Sequence, residues 1–347
     1  IGQDAAGVVY LARDGRLGRK VALRVIAPEL AGDAAFRARF PGEAQAAAAI
    51  GHPHIMPVYE AGEAGGMLYL AMRYVQGGDA QSLVSRLGPL DFATAWSIVA
   101  QVAWALDAAH GQGLIHRDVK PASMLLDVGA ADGRTARRTG GVAGHVYLSD
   151  FGMSKDPPPG QITATGQFAG TLDYLAPEQI EGRVLDGRAD LYSLACAGFE
   201  LLCGTPPFGQ DQGATVMYAQ LYAPPPAATA RRPDLPAGVD LVLARALAKA
   251  PADRYATCGQ FAEELRTALG LGPGPAPHES APEPGQAPAP AQAGAGVLRS
   301  RPVPPEAGPG RAGADPVSGP GRPEPQLRRR LSIIGLILAV AGAAAQA

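Results

Sequence analysis

The chain predicts an α+β protein of two unequal lobes, a small sheet-rich one followed by a larger helical one. Three observations carry this. Strand-like runs at residues 1–11, 21–26 and 67–74 crowd the N-terminal part around one helical stretch, residues 34–49. Helical spacing dominates from Asp91 onward. The periodic apolar pattern then ends near residue 270, where Pro, Gly and Ala take over. Two such lobes leave a cleft between them, a favoured place for a ligand.

Each element has a local cause. Asp14-Gly15 supplies a turn between the first two strands. VALRVI alternates, so Ala22, Arg24 and Ile26 share one face. Asp91 suits a helix N-cap, Ile98, Val102, Leu106 and Ala109 follow at helical spacing, and Gly111 and Gly113 end the run. Residues 119–127 and 146–149 read as short paired strands. Residues 188–202, 213–222, 238–249 and 257–269 read as further helices.

Composition bounds the function classes. The 347 residues carry 30 Lys+Arg against 32 Asp+Glu, a balance that argues against a broad nucleic-acid-binding surface. Three cysteines are too few for a disulfide framework. Cys196 and Cys203 sit two helical turns apart, roughly 10 Å, so buried free thiols are expected. The chain starts at Ile1 without a visible signal peptide, and its pattern reads as beginning inside an element, as a fragment would. Residues 271–326 hold 15 of the 33 prolines and almost no aliphatics, the composition of an extended linker. Arg328, Arg329 and Arg330 then precede an uncharged run, residues 331–347. That run would span about 25 Å as a helix, slightly short of a bilayer core, and reads as a membrane segment that the chain end cuts. The flanking arginines put everything before them on the cytoplasmic side.

Chemistry concentrates in three motifs. Residues 116–126 read HRDVKPASMLL, residues 149–152 read SDFG, and residues 170–179 read GTLDYLAPEQ. In this order and spacing they resemble the catalytic core of the bacterial eukaryotic-like Ser/Thr protein kinases, over essentially residues 1–269. The linker and single span look like receptor members of that family. The resemblance implies a bilobal protein kinase domain at residues 1–269, with an N-lobe at 1–75 and a C-lobe at 76–269. A juxtamembrane linker follows at 270–327, and the basic flank and span at 328–347.

The resemblance also assigns roles. Phosphoryl transfer needs positioning and charge neutralisation more than covalent chemistry. Asp118 matches the carboxylate that orients the substrate hydroxyl and takes its proton, and Lys120 should reach the γ-phosphate. Asp150 matches a Mg²⁺ ligand, with Phe151 between the lobes and Gly152 allowing the turn. Gly2, Gly7 and Val9 match the Gly-rich loop over ATP. Ala22 and Leu125 match the walls above and below adenine, Met72 the gatekeeper, Arg73 to Val75 the hinge, and Asp79 the ribose contact. Thr163 and Thr165 match activation-loop phosphorylation positions, where a phosphate would pair with Arg117. Thr171 matches the threonine beside the catalytic pair. Glu178 and Arg254 match a buried structural pair, and Asp190 a cap beneath the catalytic loop.

Three positions depart from the family pattern. Asp4 stands where the second loop glycine belongs, and a carboxylate beside triphosphate oxygens is repulsive. Arg24 replaces the strand lysine that binds the α/β-phosphates, and Glu43, 19 residues on, is its expected partner. Ser123 replaces the asparagine that binds a second metal ion, and a hydroxyl is the weaker ligand. Residues 128–143 exceed the usual length between Asp118 and Asp150 and read as a basic surface loop. His52 and His54 lack a metal-ligand pattern.

Two functions follow. One is a MgATP-dependent (or Mn²⁺-dependent) Ser/Thr kinase at the cell membrane, acting on protein substrates, with kinase-domain dimerisation for autophosphorylation and no nucleic-acid partner. The other is a pseudokinase, a binding and scaffolding module without catalysis. A small-molecule phosphotransferase is disfavoured by GTLDYLAPEQ, which resembles a protein-substrate segment.

Overall fold

The computed structural model describes residues 1–4, 6–127, 144–151, 172–209 and 213–273. Gly152, Thr163, Thr165, Thr171, the 128–143 insertion, most of the linker and the proposed span lie outside the described residues.

The N-terminal lobe is built on strands β1 (Gly2–Asp4), β2 (Gly7–Arg13), β3 (Lys20–Ile26), β4 (Val58–Ala64) and β5 (Met67–Arg73). They form one antiparallel sheet in the order β1-β2-β3-β5-β4. The expected single strand over residues 1–11 is two strands. Gly7 turns the chain with φ 145°, and a Cβ there would meet Val25 O at 2.0 Å, so only glycine fits. Helix α1 (Pro28–Ala31) leads into α2 (Ala34–Ala49), whose N-cap Asp33 accepts from Ala35 N and Phe36 N at 2.9 and 3.0 Å. Phe36, Phe40 and Ala44 of α2 pack on Ala22, Leu68, Leu70 and Met72 of the sheet.

In the second lobe, α3 (Ala80–Leu87) precedes α4 (Phe92–His110), capped by Asp91 through Thr94 N at 2.9 Å. A three-stranded sheet, β6 (Gly78–Asp79), β7 (Met124–Asp127) and β8 (His145–Leu148), lines the cleft floor. Residues 121–123 form a 3₁₀ turn, which shortens the expected 119–127 strand because Pro121 lacks a ladder donor. Beyond it come α5 (Pro177–Ile180), α6 (Gly187–Cys203), α7 (Ala214–Tyr222), α8 (Ala228–Arg231), α9 (Gly238–Ala246) and α10 (Cys258–Ala268). Helices α4, α6 and α10 form the core, with Ile98, Val102, Leu106, Leu191, Phe199 and Phe261 inaccessible to solvent. Cys196 and Cys258 are buried free thiols, Cys203 is a half-buried one, and burial pushes all three up in pKa.

Candidate active site

The cleft wall opposite the helical lobe follows from strand register. Ala22 lies opposite Leu11 on one neighbour and Met72 on the other. Val9, Val75 and Leu125 pack half-buried against the same cluster as Ala22 and Met72. The five residues expected to line a flat heterocycle therefore share one apolar surface. Behind Met72 a narrow gap lies between Ala44, Ala47, Met56, Leu70 and Phe151. Arg73 leaves β5 with its backbone N–H on Pro57 O at 3.0 Å and its guanidinium 3.3 Å from Asp127. Asp79 caps α3, its Oδ1 accepting from Ser82 N at 2.6 Å. A Cβ at Gly2 would meet open space, so the fold itself does not require that glycine.

The loop that carries Asp118 is anchored from below. Asp190, fully buried at the start of α6, accepts from His116 N and Arg117 N, both at 2.8 Å, and pairs with His110 Nε2 at 2.7 Å. These bonds hold Arg117 at φ 70°, an uncommon conformation for a side chain-bearing residue. Asp150 has φ 72°, and strain of this kind gathers where function over-determines the backbone. Asp118 then meets Lys120, Nζ to Oδ2 at 2.6 Å. Burial raises the Asp118 pKa, and the nearby Lys120 charge only partly offsets this. A carboxylate made more basic and still ion-paired suits a proton acceptor.

Asp150 sits at the end of β8. Phe151 is buried and stacks edge-on with His116, centroids 4.5 Å apart, while His116 Nε2 contacts Ser149 O at 2.7 Å. Asp150 Oδ2 accepts from Ser149 Oγ at 3.1 Å. Its Oδ1 is buried and has no hydrogen-bond partner among the described residues, although Arg24 Nη2 lies 3.0 Å away. The carboxylate of Asp150 is a hard ligand of the type a divalent cation takes, and a cation there would share it with Arg24.

Two expectations are corrected here. Arg24 does not pair with Glu43. One Arg24 amine takes both oxygens of Asp4 at 2.9 and 3.0 Å, and the other lies on Asp150. Glu43 lies instead 3.6 Å from Arg117 and 4.0 Å from Arg39. The physical reason is charge supply, because Asp4 and Asp150 already occupy both ends of the buried guanidinium fork. Burial alone would lower the Arg24 pKa, but Asp150 and Asp4 outweigh it and hold the arginine charged. Asp4 is thus half of an ion pair and not a bare repulsive carboxylate. Ser123 is the second correction. It is fully buried, and its Oγ donates to Lys120 O at 2.8 Å and accepts from Lys120 N at 3.2 Å. The hydroxyl closes the 3₁₀ turn, its proton and one lone pair engaged by Lys120 within the same loop.

Arg254 Nη1 and Nη2 bond buried Glu178 at 2.6 and 2.8 Å. Other polar residues that tie this region together were not singled out. Gln179 donates to Arg117 O at 2.9 Å, and Gln220 donates to Leu172 O and Asp173 O at 3.2 and 2.7 Å. Tyr174 donates to buried Glu200, which also accepts from Gln81 at 2.8 Å. The available signal was Glu200 itself, a charge between Phe199 and Leu201 in an apolar helix, which must find partners.

Comparison with known proteins agrees with this geometry. The family model described as "Protein kinase domain" matches residues 1–264. The Serine/threonine-protein kinase PknJ of Mycobacterium tuberculosis is 44% identical over 271 residues, covering 78% of this chain. PknF of the same species is 44% identical over 274 residues, again covering 78% of this chain. The chain spans only 44% of PknJ and 55% of PknF. The crystal structure of the M. tuberculosis PknI kinase domain superposes with a TM-score of 0.62 at 37% identity, covering 78% of this chain and 94% of that domain. The apolar wall around Ala22 and Met72, the Asp118–Lys120 loop held by Asp190 and the family match over residues 1–264 converge on one conclusion: the chain belongs to the protein kinase family.

Proposed function

We propose that the chain is a Ser/Thr protein kinase that transfers the γ-phosphoryl group of MgATP to protein hydroxyls. The observation that carries this is the Asp118–Lys120 pair, on a loop that Asp190 holds by two backbone N–H bonds. In this reading Ala22, Met72 and Leu125 hold the base, and Asp118 orients the substrate hydroxyl. As the new O–P bond forms and the bond to the β-phosphate breaks, the hydroxyl proton passes to Asp118. Lys120 keeps Asp118 ionised beforehand and neutralises charge on the moving phosphoryl group. Asp150 would hold a divalent cation, Mg²⁺ or Mn²⁺, which supplies charge neutralisation at the phosphates. Ser123 is engaged within its own loop and is the weaker of the two expected ligands.

The domain plan extends this proposal. Residues 1–269 form the kinase domain, 270–327 a linker, and 331–347 a membrane segment with the kinase on the cytoplasmic side. Thr163 and Thr165 are the regulatory acceptors, and two kinase domains meet for autophosphorylation. The test incubates the full chain with MgATP and maps phosphate by mass spectrometry. Phosphate on Thr163 or Thr165, lost in Asp118→Asn, is the expected result. Nucleotide binding without any phosphate incorporation would favour the second reading, a binding module without catalysis. The observation on that side is that Asp4 already engages Arg24.

A further inference from the structure

We infer that Asp4 is a specificity-determining residue of the nucleotide site, an internal carboxylate that competes with phosphate and sets how much a triphosphate gains over the bare nucleoside. The inference rests on the nucleotide reading of the cleft. Asp4 ends β1 and Gly7 opens β2, so the side chain folds back over the hairpin turn. Its Oδ1 accepts from Ala6 N at 2.9 Å and Gly7 N at 3.1 Å. Both its oxygens accept from Arg24 Nη1. Consecutive backbone N–H groups in a tight turn, with a guanidinium beside them, form an anion-binding concavity. One carboxylate fills it here.

Two further features make this competition and not permanent closure. Arg24 is buried, its side chain 6% exposed, and its second amine is committed to Asp150. The Asp4 side chain is 43% exposed, so it borders solvent and its displacement by a stronger anion needs no repacking of the core. Asp4, Arg24 and Asp150 together carry one net negative charge, which an approaching polyphosphate meets. Nucleoside contacts lie elsewhere, on Ala22, Met72 and Leu125, and are uncharged. Removing the Asp4 charge should therefore strengthen phosphate binding selectively.

The test titrates the full chain with adenosine and with MgATP by calorimetry, for the parent, Asp4→Asn and Asp4→Gly. Asn keeps an acceptor for the turn N–H groups and removes only the charge, so it carries the test even if the glycine variant folds poorly. The expected result is at least a ~10-fold tighter MgATP complex in Asp4→Asn, about 1.4 kcal/mol, with adenosine affinity changed less than ~2-fold. Unchanged or weakened MgATP binding alongside intact adenosine binding overturns the inference and leaves the nucleotide site standing. Equal gains for both ligands also overturn it, since the effect is then not on phosphate. If neither ligand binds any of the three proteins, the nucleotide reading falls and the inference with it.

Discussion

At the scale of single residues, the two departures at positions 4 and 24 belong together. A lysine at position 24 would present one compact ammonium, but arginine presents two amines on a rigid fork and bridges two carboxylates at once. That bridge joins the glycine-rich turn to Asp150 across the cleft. Arg254 shows the same chemistry in a fully buried setting. Its side chain bonds Glu178 twice and the carbonyls of Arg188, Ala248 and Lys249. Removing one member of such a pair strands the other charge. Glu178→Ala should cost about 3–5 kcal/mol, read as a fall in denaturation midpoint. A loss under about 1 kcal/mol, the range of an exposed pair, would show that water reaches Arg254.

At the scale of elements, α2 is the informative case. It runs unbroken from Ala34 to Ala49 although Pro41 and Gly42 stand in its interior. Its composition was enough to locate it, because alanine-rich propensity and the Phe36/Phe40 face outweigh one missing N–H. Pro41 is exposed, so its ring has no packing role in the core. A proline inside a helix costs up to about 3 kcal/mol relative to alanine. Pro41→Ala should stabilise the protein by about 1–3 kcal/mol, a rise of several degrees in Tm for a domain this size. A fall in Tm would mean the helix needs the irregularity at Pro41, two residues before Glu43. The shorter elements were harder to see. Helices α1 and α3 are brief, and β4, though no shorter than β5, reads VYEAGEA, with Gly and four small or acidic residues where a strand pattern expects branched ones.

At the scale of the whole molecule, the lobes are joined through the segment after α2. Met56 N bonds Leu148 O and Leu148 N bonds His54 O, at 2.9 and 2.8 Å. His54 is buried, its Nδ1 3.0 Å from Val146 O, and it stacks on His145 with centroids 4.5 Å apart. Burial first, then the His145 charge, lowers the His54 pKa from 6.5 to about 4. The folded state thus holds His54 neutral. The associated stability is complete above the unfolded value near 6.5 and is lost as pH falls through about 4. The loss should approach about 3 kcal/mol, with His145 shifting the same way. His54→Asn, which keeps a neutral donor, should flatten the stability curve between pH 6.5 and 4 relative to the parent. An equally steep curve in the variant would place the acid-sensitive group elsewhere. The same scale explains α4, which is long and apolar enough to cross a membrane yet is a core helix, packed between α6 and α10.

The sequence by itself determined the lobe order and the long helices with their caps, because periodicity and capping chemistry are local along the chain. The resemblance carried by HRDVKPASMLL, SDFG and GTLDYLAPEQ supplied the expected Asp118–Lys120 loop, the Glu178–Arg254 pair and the Asp190 cap, the last two joining residues 76 and 74 positions apart. Tertiary structure decided the partners of charge. Arg24 could be placed on its strand face from alternation, but which carboxylate meets it depends on how a hairpin turn, a helix and a distant loop approach one point. Glu43 was the expected partner, yet it sits by Arg117 and Arg39. Asp4 and Asp150, 146 positions apart, close on Arg24 instead. Ser123 turned inward for the same reason, because its hydroxyl bonds the Lys120 backbone within its own turn. Residue type states what a buried charge requires, and only the folded geometry selects which neighbour supplies it.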